Sequence, residues 1–297
     1  MKVLITGGTG LLGQALLGGT TPSGVELSAT YCSGSSPGKT TVRFYRLDVT
    51  DSEAVMRLFN QVNPDAVIHT ASIGSVDYAE LNREESWDVN VGGTRNVARA
   101  CHRHGAKMVF ISSNAVFDGE HPPYTEMDVV CPINYYGELK VEGESVIKDT
   151  SEKFAIVRPI LMYGWNDIGH RGNLVTFWLD SLKKGESVRA VNDVWSKPLQ
   201  AENCAEVCWA ILTQGRVGIY HVAGADHVTL YRFAIKVAVA FGYDPDLVKP
   251  VPGSYFRQLT PRPTDTSFVT DKMERELNVS PVGLEEGLTR MKSVRPH

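Results

Sequence analysis

Short apolar runs alternate with helical patterns through the first half of this 297-residue chain. Strands are predicted at residues 2–6, 25–31, 42–47, 66–70, 107–111 and 154–157. Helical patterns lie between them, at 11–17, 52–62, 77–104 and 134–148. Strands that are apolar throughout are covered on both faces, and their regular alternation with helices produces a parallel sheet. The expected fold class is therefore α/β, with a doubly wound parallel sheet.

The alternation of strands and helices is less regular after residue 163. A glycine-rich polar stretch there is typical of a loop near a ligand. Further helices are predicted at 173–183, 229–242 and 284–291, a strand at 218–224 and a proline-rich loop at 249–265. We expect one domain over residues 1–165. Residues 166–297 should form a smaller, discontinuous region over the carboxyl edge of the sheet, with 200–224 returning to the sheet.

The composition excludes several classes of function. The net charge of −4 gives no sign of a nucleic-acid or membrane surface, and no apolar run approaches the roughly 18 residues of a membrane span. The first apolar run is too short for a signal peptide, so a cytoplasmic protein is expected. The five cysteines form no CxxC pair, and Cys204 and Cys208, on one helix face, are more typical of buried thiols than of metal ligands. No metal site is expected.

The turn after the first strand, "ITGGTGLLG", spaces three glycines three residues apart. Gly7 can take the tight turn, Gly10 lets the backbone approach a pyrophosphate, and Gly13 lets the helix pack close to the strand. The helix N-terminus then offers its amides and dipole to the phosphates. At the first strand–helix junction, this triplet predicts a dinucleotide site in a Rossmann-type sheet. The lining residues expected there are Gly7, Thr9, Gly10, Leu11, Leu12 and Gly13.

The second strand ends in "ATYCSGSSPGK", which contains no acidic residue. NAD sites usually hold the ribose 2′-hydroxyl with an acid at this position, whereas a 2′-phosphate would be repelled by one. Residues of this loop that could hold a 2′-phosphate are Ser33, Ser35, Ser36 and Lys39. NADP(H) is therefore favoured over NAD(H), although the loop has no arginine and a solvated loop is the alternative. Asp48, followed by Val49, suits either the adenine amino group or a helix cap.

The segment "NYYGELK" places two tyrosines ahead of one lysine. Residues four apart on a helix lie about 40° apart around its axis, and residues five apart about 140°. Tyr136 therefore shares a face with Lys140, and Tyr135 points away. Because an ammonium group lowers the pKa of a nearby phenol from about 10, such a phenol can exchange a proton with a carbonyl or alcohol oxygen. A surface Tyr–Lys pair is the alternative.

Ser112 and Ser113 follow the predicted strand at 107–111. The carboxyl end of a central strand is where open α/β sheets bind their ligands. A serine hydroxyl there can bond the same substrate oxygen as Tyr136, and the alternative is a helix or turn cap. The glycine turn, the strand-end serine and the Tyr–Lys pair, occurring in this order, favour an active site.

These segments resemble the extended short-chain dehydrogenase/reductase superfamily. The matching stretches are "TGGTGLLG", "DAVIHTAS", "NVGGTRNV", "ISSNAVFDG" and "YGELK". The segments at 75–80, 116–144 and 190–198 are similar to dTDP-4-dehydrorhamnose reductases. The stretch at 157–164, with "VFDG", is also similar to the NADP-binding regulatory β subunit of methionine adenosyltransferase.

The resemblance implies a catalytic set of Ser113, Tyr136 and Lys140, acting on a nucleotide-linked 4-keto sugar. Tyr136 would protonate the oxygen at C4, Ser113 would orient it, and Lys140 would hold the nicotinamide ribose and tune Tyr136. Ala71 and Ser72 would line the cofactor. The alternatives are a non-catalytic regulatory subunit of the methionine adenosyltransferase type and a nucleotide-sugar epimerase with bound NAD.

Two departures from the family pattern bear on the substrate. Sugar-nucleotide dehydratases carry Asp-Glu where this chain has Asn114 and Ala115, which argues against dehydration. Rhamnose-type reductases have a tryptophan at the position of Leu161, so Trp165 and Trp195 are candidates for its stacking role. The substrate-binding residues expected are Ser113, Asn114, Tyr136, Asn173 and Trp195. The expected partner is a nucleotide sugar, and a homodimer is left open.

Overall fold

The computed structural model describes residues 1–19, 21–33, 42–150, 152–166, 172–256 and 259–294. At its centre is a seven-stranded sheet whose neighbouring strands all run parallel. Its strands are β1 (Lys2–Thr6), β2 (Glu26–Tyr31), β3 (Arg43–Arg46), β4 (Ala66–His69), β5 (Lys107–Ile111), β6 (Phe154–Pro159) and β11 (Gly218–Val222). Their order, β11-β6-β5-β4-β1-β2-β3, confirms the predicted doubly wound α/β sheet. The winding reverses between β1 and β4, and open α/β sheets bind ligands at such a point.

Helices cover both faces of this sheet. On one face lie α1 (Leu11–Gly18), α8 (Ala201–Thr213) and α10 (Asp271–Leu277), and on the other α2 (Ser52–Val62), α5 (Thr94–His104) and α6 (Tyr135–Thr150). Side chains of β1 alternate between the two cores, because Val3 and Ile5 pack on the first face and Leu4 on the second. Both faces are therefore apolar, as the unbroken hydrophobic runs predict.

The single helix predicted over 77–104 is wrong. The chain there forms α3 (Val76–Leu81), α4 (Arg83–Trp87), a π-helical turn (Asp88–Gly93) and α5. The side chain of Asn90, inside the π turn, bonds the backbone of the loop after β4: its Oδ1 accepts from the Ile73 amide at 2.7 Å and its Nδ2 donates to the Ile73 carbonyl at 3.0 Å. A helical apolar pattern cannot reveal this long-range bond. Such π turns are frequent at functional sites.

The C-terminal part has a core of its own. It is built from α7 (Leu174–Lys183), α9 (Leu230–Phe241), α11 (Leu284–Ser293) and the parallel pair β8 (Val188–Val191) and β13 (Val248–Val251). Two further short pairs join β7 (Met162–Tyr163) to β10 (Leu199–Gln200) and β9 (Trp195–Ser196) to β12 (Val228–Thr229). Because β11 pairs with β6, the chain returns to the main sheet after residue 200. The domain division at residue 165 stays a prediction.

Cys204 and Cys208 are buried, and all five cysteines are free thiols. Over the described ranges, no three or more His, Cys, Asp or Glu side chains are grouped to hold a metal ion. No helix in that part of the chain is long and apolar enough to cross a bilayer.

Candidate active site

The glycine turn between β1 and α1 is too tight for side chains. Gly7 has a φ of +71°, and a Cβ on it would lie 2.8 Å from the amide nitrogen of Ala71, which follows β4. A Cβ on Gly13 would lie 2.4 Å from the Gly7 carbonyl oxygen. Gly10, the N-cap residue of α1, has no side chain to cover the helix amides. The turn therefore leaves these amides to a phosphate, which fits a dinucleotide.

The other predicted residues of this turn have different environments. Thr9 is half-buried, and its carbonyl accepts from Nε2 of Gln14 at 2.8 Å. The side chain of Leu11 is half-buried and lies near Gly164, whose Cβ would be 3.2 Å from Leu11 Cδ1. Leu12 is buried in the core between the sheet and α8. Leu12 can therefore meet a cofactor through its backbone only.

At the opposite end of the predicted cofactor site, Ser33 is exposed just after β2, whereas Ser35, Ser36 and Lys39 lie outside the described residues. The exposed Asp48 accepts through Oδ1 from the amide of Thr50 at 2.9 Å and from its hydroxyl at 2.7 Å. The N-cap of α2 is Asp51 instead. Of the two interpretations of Asp48, the helix cap is therefore wrong.

Val49 and Ala71 lie on the loops that follow β3 and β4. Val49 is buried, and its Cγ2 would lie 2.5 Å from a Cβ on Gly93 in the π turn. Ala71 is half-buried against Gly7. Both residues therefore sit where the loops after β3 and β4 meet the glycine turn and the π turn.

Arg46 is a cation that the sequence argument missed. It ends β3 and is paired in register with Tyr31 of β2. Its Nε donates to the Cys32 carbonyl at 3.4 Å, one residue before Ser33. Burial, followed by the Asp48 carboxylate, raises the pKa of the Cys32 thiol, and Arg46 lowers it. The sequence of the loop after β2 does not reveal this guanidinium, because it comes from the neighbouring strand.

The helix α6 carries the tyrosine and lysine on one face. Lys140 is buried, and its Nζ donates to the Ile111 carbonyl at 2.9 Å and to the Ser72 hydroxyl at 3.3 Å. The same Nζ lies 5.7 Å from the centre of the Tyr136 ring. Tyr135 points elsewhere, because its hydroxyl donates to the Arg83 carbonyl at 3.1 Å. Helical spacing therefore selects Tyr136 as the phenol next to the ammonium group.

Burial dominates the electrostatics of Lys140. It lowers the pKa of Lys140 to about 8, and the Glu144 carboxylate partly opposes the shift. Burial and then Lys140 lower the pKa of His69 to about 3, so this imidazole is neutral. His69 bonds the Thr6 hydroxyl at 2.7 Å and the Thr94 hydroxyl at 3.1 Å. It links β1, β4 and α5, which fits a structural role.

Ser113 lies at the carboxyl end of β5, where its hydroxyl caps a short 3-10 turn. Its Oγ accepts from the Ala115 amide at 3.1 Å and donates to Asn114 Oδ1 at 3.3 Å. Ser112 points to the other side and donates to Glu144 Oε1 at 2.6 Å. Asn114 Nδ2 donates to the Thr266 hydroxyl at 2.5 Å. Ser113 and Asn114 thus lie on one side of the end of β5, and Ser112 lies on the other.

Two predicted substrate contacts have structural bonds. Asn173 caps α7, because its Oδ1 accepts from the Val175 amide at 3.1 Å and its Nδ2 donates to the Gly164 carbonyl at 2.8 Å. Trp165 donates its indole N–H to the Met291 carbonyl at 2.6 Å, within the C-terminal core. The indole N–H of Trp165 is therefore already bonded, and its stacking role stays a prediction. A substrate contact of Asn173 stays a prediction, and its amide is already bonded.

Trp195 keeps 44% of its surface exposed, and its ring centre lies 5.0 Å from that of His227. His227 pairs with Asp265 at 2.9 Å. His227 and Asp265 also line a cavity of about 370 Å³ next to Lys197. Trp195 is thus accessible to a ligand, on the C-terminal side of the site.

Arg262 is a second cation missed by the sequence argument. Its Nη2 lies 2.8 Å from Asp77 Oδ2 on α3, and Thr260 donates to the other oxygen of that carboxylate at 3.1 Å. The Pro261 carbonyl accepts from Asn134 Nδ2 at 3.2 Å, two residues before Tyr136. The segment 260–262 therefore crosses from α3 to the start of α6. The sequence signal for this cation is an arginine in the proline-rich loop, and no local pattern predicts where that loop lies in the fold.

The RmlD substrate binding domain family model matches residues 1–294 of the chain. The chain belongs to this family. Among the relatives of this chain, dTDP-4-keto-6-deoxy-D-glucose reductase from Streptomyces niveus is 28% identical over 281 residues, which cover 94% of this chain and 92% of the relative. The β subunit of methionine adenosyltransferase 2 from Rattus norvegicus is 30% identical over 269 residues, covering 88% of this chain and 76% of the relative.

The fold is also that of solved structures. The dTDP-4-dehydrorhamnose reductase from Bacillus anthracis str. Ames, solved in complex with NADP, superposes with a TM-score of 0.87 at 28% identity and covers 99% of both chains. The resemblance inferred from the sequence, both to these reductases and to the β subunit of methionine adenosyltransferase, is confirmed.

Proposed function

We propose that this RmlD-family protein is an oxidoreductase that uses NADP(H) to reduce the C4 carbonyl of a nucleotide-linked 4-keto sugar. The observation that carries this proposal is a continuous path of contacts from the glycine turn to the Tyr–Lys pair. Gly7 packs against Ala71, the next residue Ser72 contacts Lys140, and Lys140 lies beside Tyr136. A dinucleotide with its pyrophosphate on the glycine turn would reach this pair along Ala71 and Ser72.

The residues present fit such a cofactor. Gly7 and Gly13 leave no room for a Cβ, Gly10 has no side chain over the amides of α1, and the N-terminus of α1 faces the pyrophosphate position. At the adenosine end, Arg46 and Ser33 supply a guanidinium and a hydroxyl for a 2′-phosphate. This pair supports NADP(H) over NAD(H). Asp48 and Val49 would then line the adenine.

The reaction needs a hydride, which the reduced nicotinamide supplies when bound. As negative charge develops on the C4 oxygen, Tyr136 donates its phenolic proton to it, and the Ser113 hydroxyl orients the same oxygen. Lys140, fixed by the Ile111 carbonyl and Ser72, stabilises the phenolate left on Tyr136. One hydride and one proton turn the carbonyl into a secondary alcohol, and the phenolate regains its proton from water.

The substrate would lie between the carboxyl ends of the strands and the segment 260–266. Asn114 and Asn134 hold this segment through Thr266 and Pro261. Arg262 lies on it and would bind the diphosphate of a nucleotide sugar, because a guanidinium matches phosphate oxygens in a bidentate fork. The exposed face of Trp195 would pack against the base or sugar.

The direct test mixes the purified protein with NADPH and dTDP-4-dehydrorhamnose and follows the nicotinamide absorbance. We expect NADPH to be consumed in proportion to the keto sugar added, and a panel of dTDP- and UDP-linked 4-keto sugars identifies the preferred substrate. Protein that binds NADPH but consumes none with any member of the panel would contradict the proposal.

The rat relative supports a second candidate, an NADP-binding regulatory subunit of methionine adenosyltransferase. Co-purification with a catalytic methionine adenosyltransferase subunit, without turnover of any keto sugar, would favour it. The epimerase alternative predicts NAD retained through purification. Protein that is free of NAD and binds NADPH reversibly would contradict an epimerase.

A further inference from the structure

A buried ion pair lies directly behind the catalytic set. Glu144 on α6 is 1% exposed and Arg158 on β6 is 2% exposed. The guanidinium donates twice, from Nε to Glu144 Oε1 at 2.8 Å and from Nη2 to Oε2 at 2.7 Å. Isolating two charges from water gives little net stability compared with apolar residues of the same volume. Net stability therefore does not explain this ion pair, and the relevant property is the set of positions that it fixes.

A third group shares this carboxylate. The Ser112 hydroxyl donates to Glu144 Oε1 at 2.6 Å, and the Ser112 amide donates to the Val157 carbonyl at 2.8 Å. Ser112 stands between Ile111, whose carbonyl accepts from Lys140, and Ser113. The bond to Glu144 thus holds the strand end of β5 from the side opposite to the substrate.

Glu144 also lies one helical turn after Lys140 on α6. Its backbone therefore belongs to the helix that carries Tyr136 and Lys140, while its side chain bonds the strand end that carries Ser113. The carboxylate therefore connects α6, which carries Tyr136 and Lys140, to the end of β5, which carries Ser113. Its negative charge also favours the protonated form of Lys140.

The remaining side of the guanidinium is occupied as well. Arg158 Nη1 lies 3.3 Å from His221 Nε2, and His221 Nδ1 lies 3.2 Å from the Tyr124 carbonyl. Burial and then Arg158 lower the pKa of His221 to about 3, so the imidazole is neutral. It therefore accepts from Arg158 at Nε2 and donates from Nδ1 to Tyr124. Arg158 is held from two sides, and this fixes the position of the Glu144 carboxylate.

We propose that Glu144 is a positioning residue: its carboxylate, held by Arg158, fixes Ser112 and thereby sets the Ile111 carbonyl and the Ser113 hydroxyl against Lys140 and Tyr136. The effect on catalysis rests on the proposed function. The tether between α6 and the end of β5 is a property of the fold and can be measured without turnover.

The test removes the tether and keeps the ion pair. Replacing Glu144 would leave the Arg158 guanidinium buried without its carboxylate and could unfold the protein. Ser112→Ala removes a single hydroxyl instead, and Ser112→Thr restores it. A matched control is Thr270→Val, which deletes another buried hydroxyl that donates to a carboxylate, that of Glu274 at 3.0 Å.

Two measurements on the full-length protein separate the tether from a general loss of stability. By hydrogen exchange, Ser112→Ala should increase exchange of the amides at 111–116, and neither Ser112→Thr nor Thr270→Val should. With the keto sugar, Ser112→Ala should lose about tenfold or more in kcat, because small misplacements of reacting groups have large effects on rate. The KM and the NADPH dissociation constant should change by less than about twofold, and Ser112→Thr should recover the rate.

Unchanged exchange at 111–116 in Ser112→Ala would overturn the tether, whether or not the protein turns over a keto sugar. Increased exchange with kcat within about twofold of wild type, or an equal loss in Thr270→Val, would overturn its role in positioning. If the wild-type protein reduces no keto sugar, the proposed function fails. Increased exchange in Ser112→Ala would still support the tether in that case.

Discussion

The ammonium nitrogen of Lys140 lies 5.7 Å from the centre of the Tyr136 ring, and only 3% of the lysine is exposed to solvent. A charge buried this close to a phenol acts on it through a low-dielectric environment, where its effect is larger and less screened by salt. The two bonds of Lys140, to the Ile111 carbonyl and Ser72, fix the ammonium group in place. Proton transfer at this pair therefore depends on the hydroxyl of Tyr136, which is half-buried next to Lys140.

Replacing Tyr136 by phenylalanine removes the proposed proton donor and little else. We expect kcat to fall by about 10² to 10⁴ while the NADPH dissociation constant stays within about twofold, since general acid catalysis contributes that much to the rate. Steady-state kinetics and a cofactor titration measure both. Tyr135→Phe is the matched control, because its hydroxyl donates to the Arg83 carbonyl and should leave kcat unchanged. Full turnover by Tyr136→Phe would contradict the assignment.

The depressed pKa of Lys140 predicts how the stability of the fold depends on pH. Its folded value of about 8 is below the ordinary 10.5, so the unfolded chain binds more protons between these values and the free energy of unfolding rises with pH there. Below about pH 8, burial of the charge is fully destabilising. Lys140→Met should therefore be more stable than wild type at pH 7, on the order of 1–3 kcal/mol, and this advantage should disappear towards pH 10.5.

Urea unfolding of wild type and Lys140→Met at a series of pH values measures this difference. Lys183→Met is the control, because Lys183 lies exposed at the end of α7, away from the Lys140 site. A constant stability difference between Lys140→Met and wild type from pH 7 to 10.5 would be inconsistent with a buried, destabilising charge.

Arg46 should set the preference for the 2′-phosphate. Arg46→Gln should weaken NADPH binding by about 10- to 100-fold and leave NADH binding within about twofold, since hydrogen bonds to charged groups contribute roughly 1.5–3 kcal/mol. Arg43→Gln is the control, because Arg43 stands at the other end of β3 with its guanidinium over the Tyr45 ring. Fluorescence titration with NADPH and with NADH gives the dissociation constants of both variants relative to wild type, which makes four ratios. An equal loss of affinity for NADPH and NADH in Arg46→Gln would show that Arg46 does not bind the 2′-phosphate.

Gly13 and Gly10 should respond differently to an added methyl group. A Cβ on Gly13 would be 2.4 Å from the Gly7 carbonyl oxygen, whereas one on Gly10 would be 3.3 Å from it. Gly13→Ala should therefore lower the melting temperature, because backbone must move, and Gly10→Ala should mainly weaken cofactor binding. Thermal unfolding with and without NADPH separates the two effects. A Gly13→Ala protein as stable as wild type would disprove close packing of α1 against the turn.

Local sequence patterns predicted the elements well and their long-range contacts poorly. The bounds of β1, β5 and α2 agree with the predicted ranges, because apolar periodicity and turn residues are local signals. The face shared by Tyr136 and Lys140 also follows from helical geometry. The π turn depends instead on a bond from Asn90 to Ile73, and no periodicity contains it.

The missed cations have the same physical explanation. Arg46 reaches the end of β2 only because β3 is its neighbour in the sheet, and Arg262 reaches α3 across 185 positions of sequence. Asn173 was a plausible sugar ligand from its amide, yet a helix N-cap uses the same amide. Composition alone cannot separate these two uses, since both require the same hydrogen-bonding groups.

Arg262 supplies the last prediction, because its ion pair with Asp77 places a guanidinium at the edge of the proposed substrate site. The pair is partly exposed, 39% for the arginine side chain and 43% for the aspartate, so its own contribution to stability is small. Arg262→Gln should raise the KM for the nucleotide sugar by about 10- to 100-fold, through loss of a charge-assisted fork to phosphate. The NADPH dissociation constant and the melting temperature should hardly change. Arg290→Gln is the control, since this arginine pairs with Glu286 on α11 and should leave the KM unchanged. Calorimetric titration with dTDP measures the same site without turnover, and equal dTDP affinity in wild type and Arg262→Gln would place the diphosphate elsewhere.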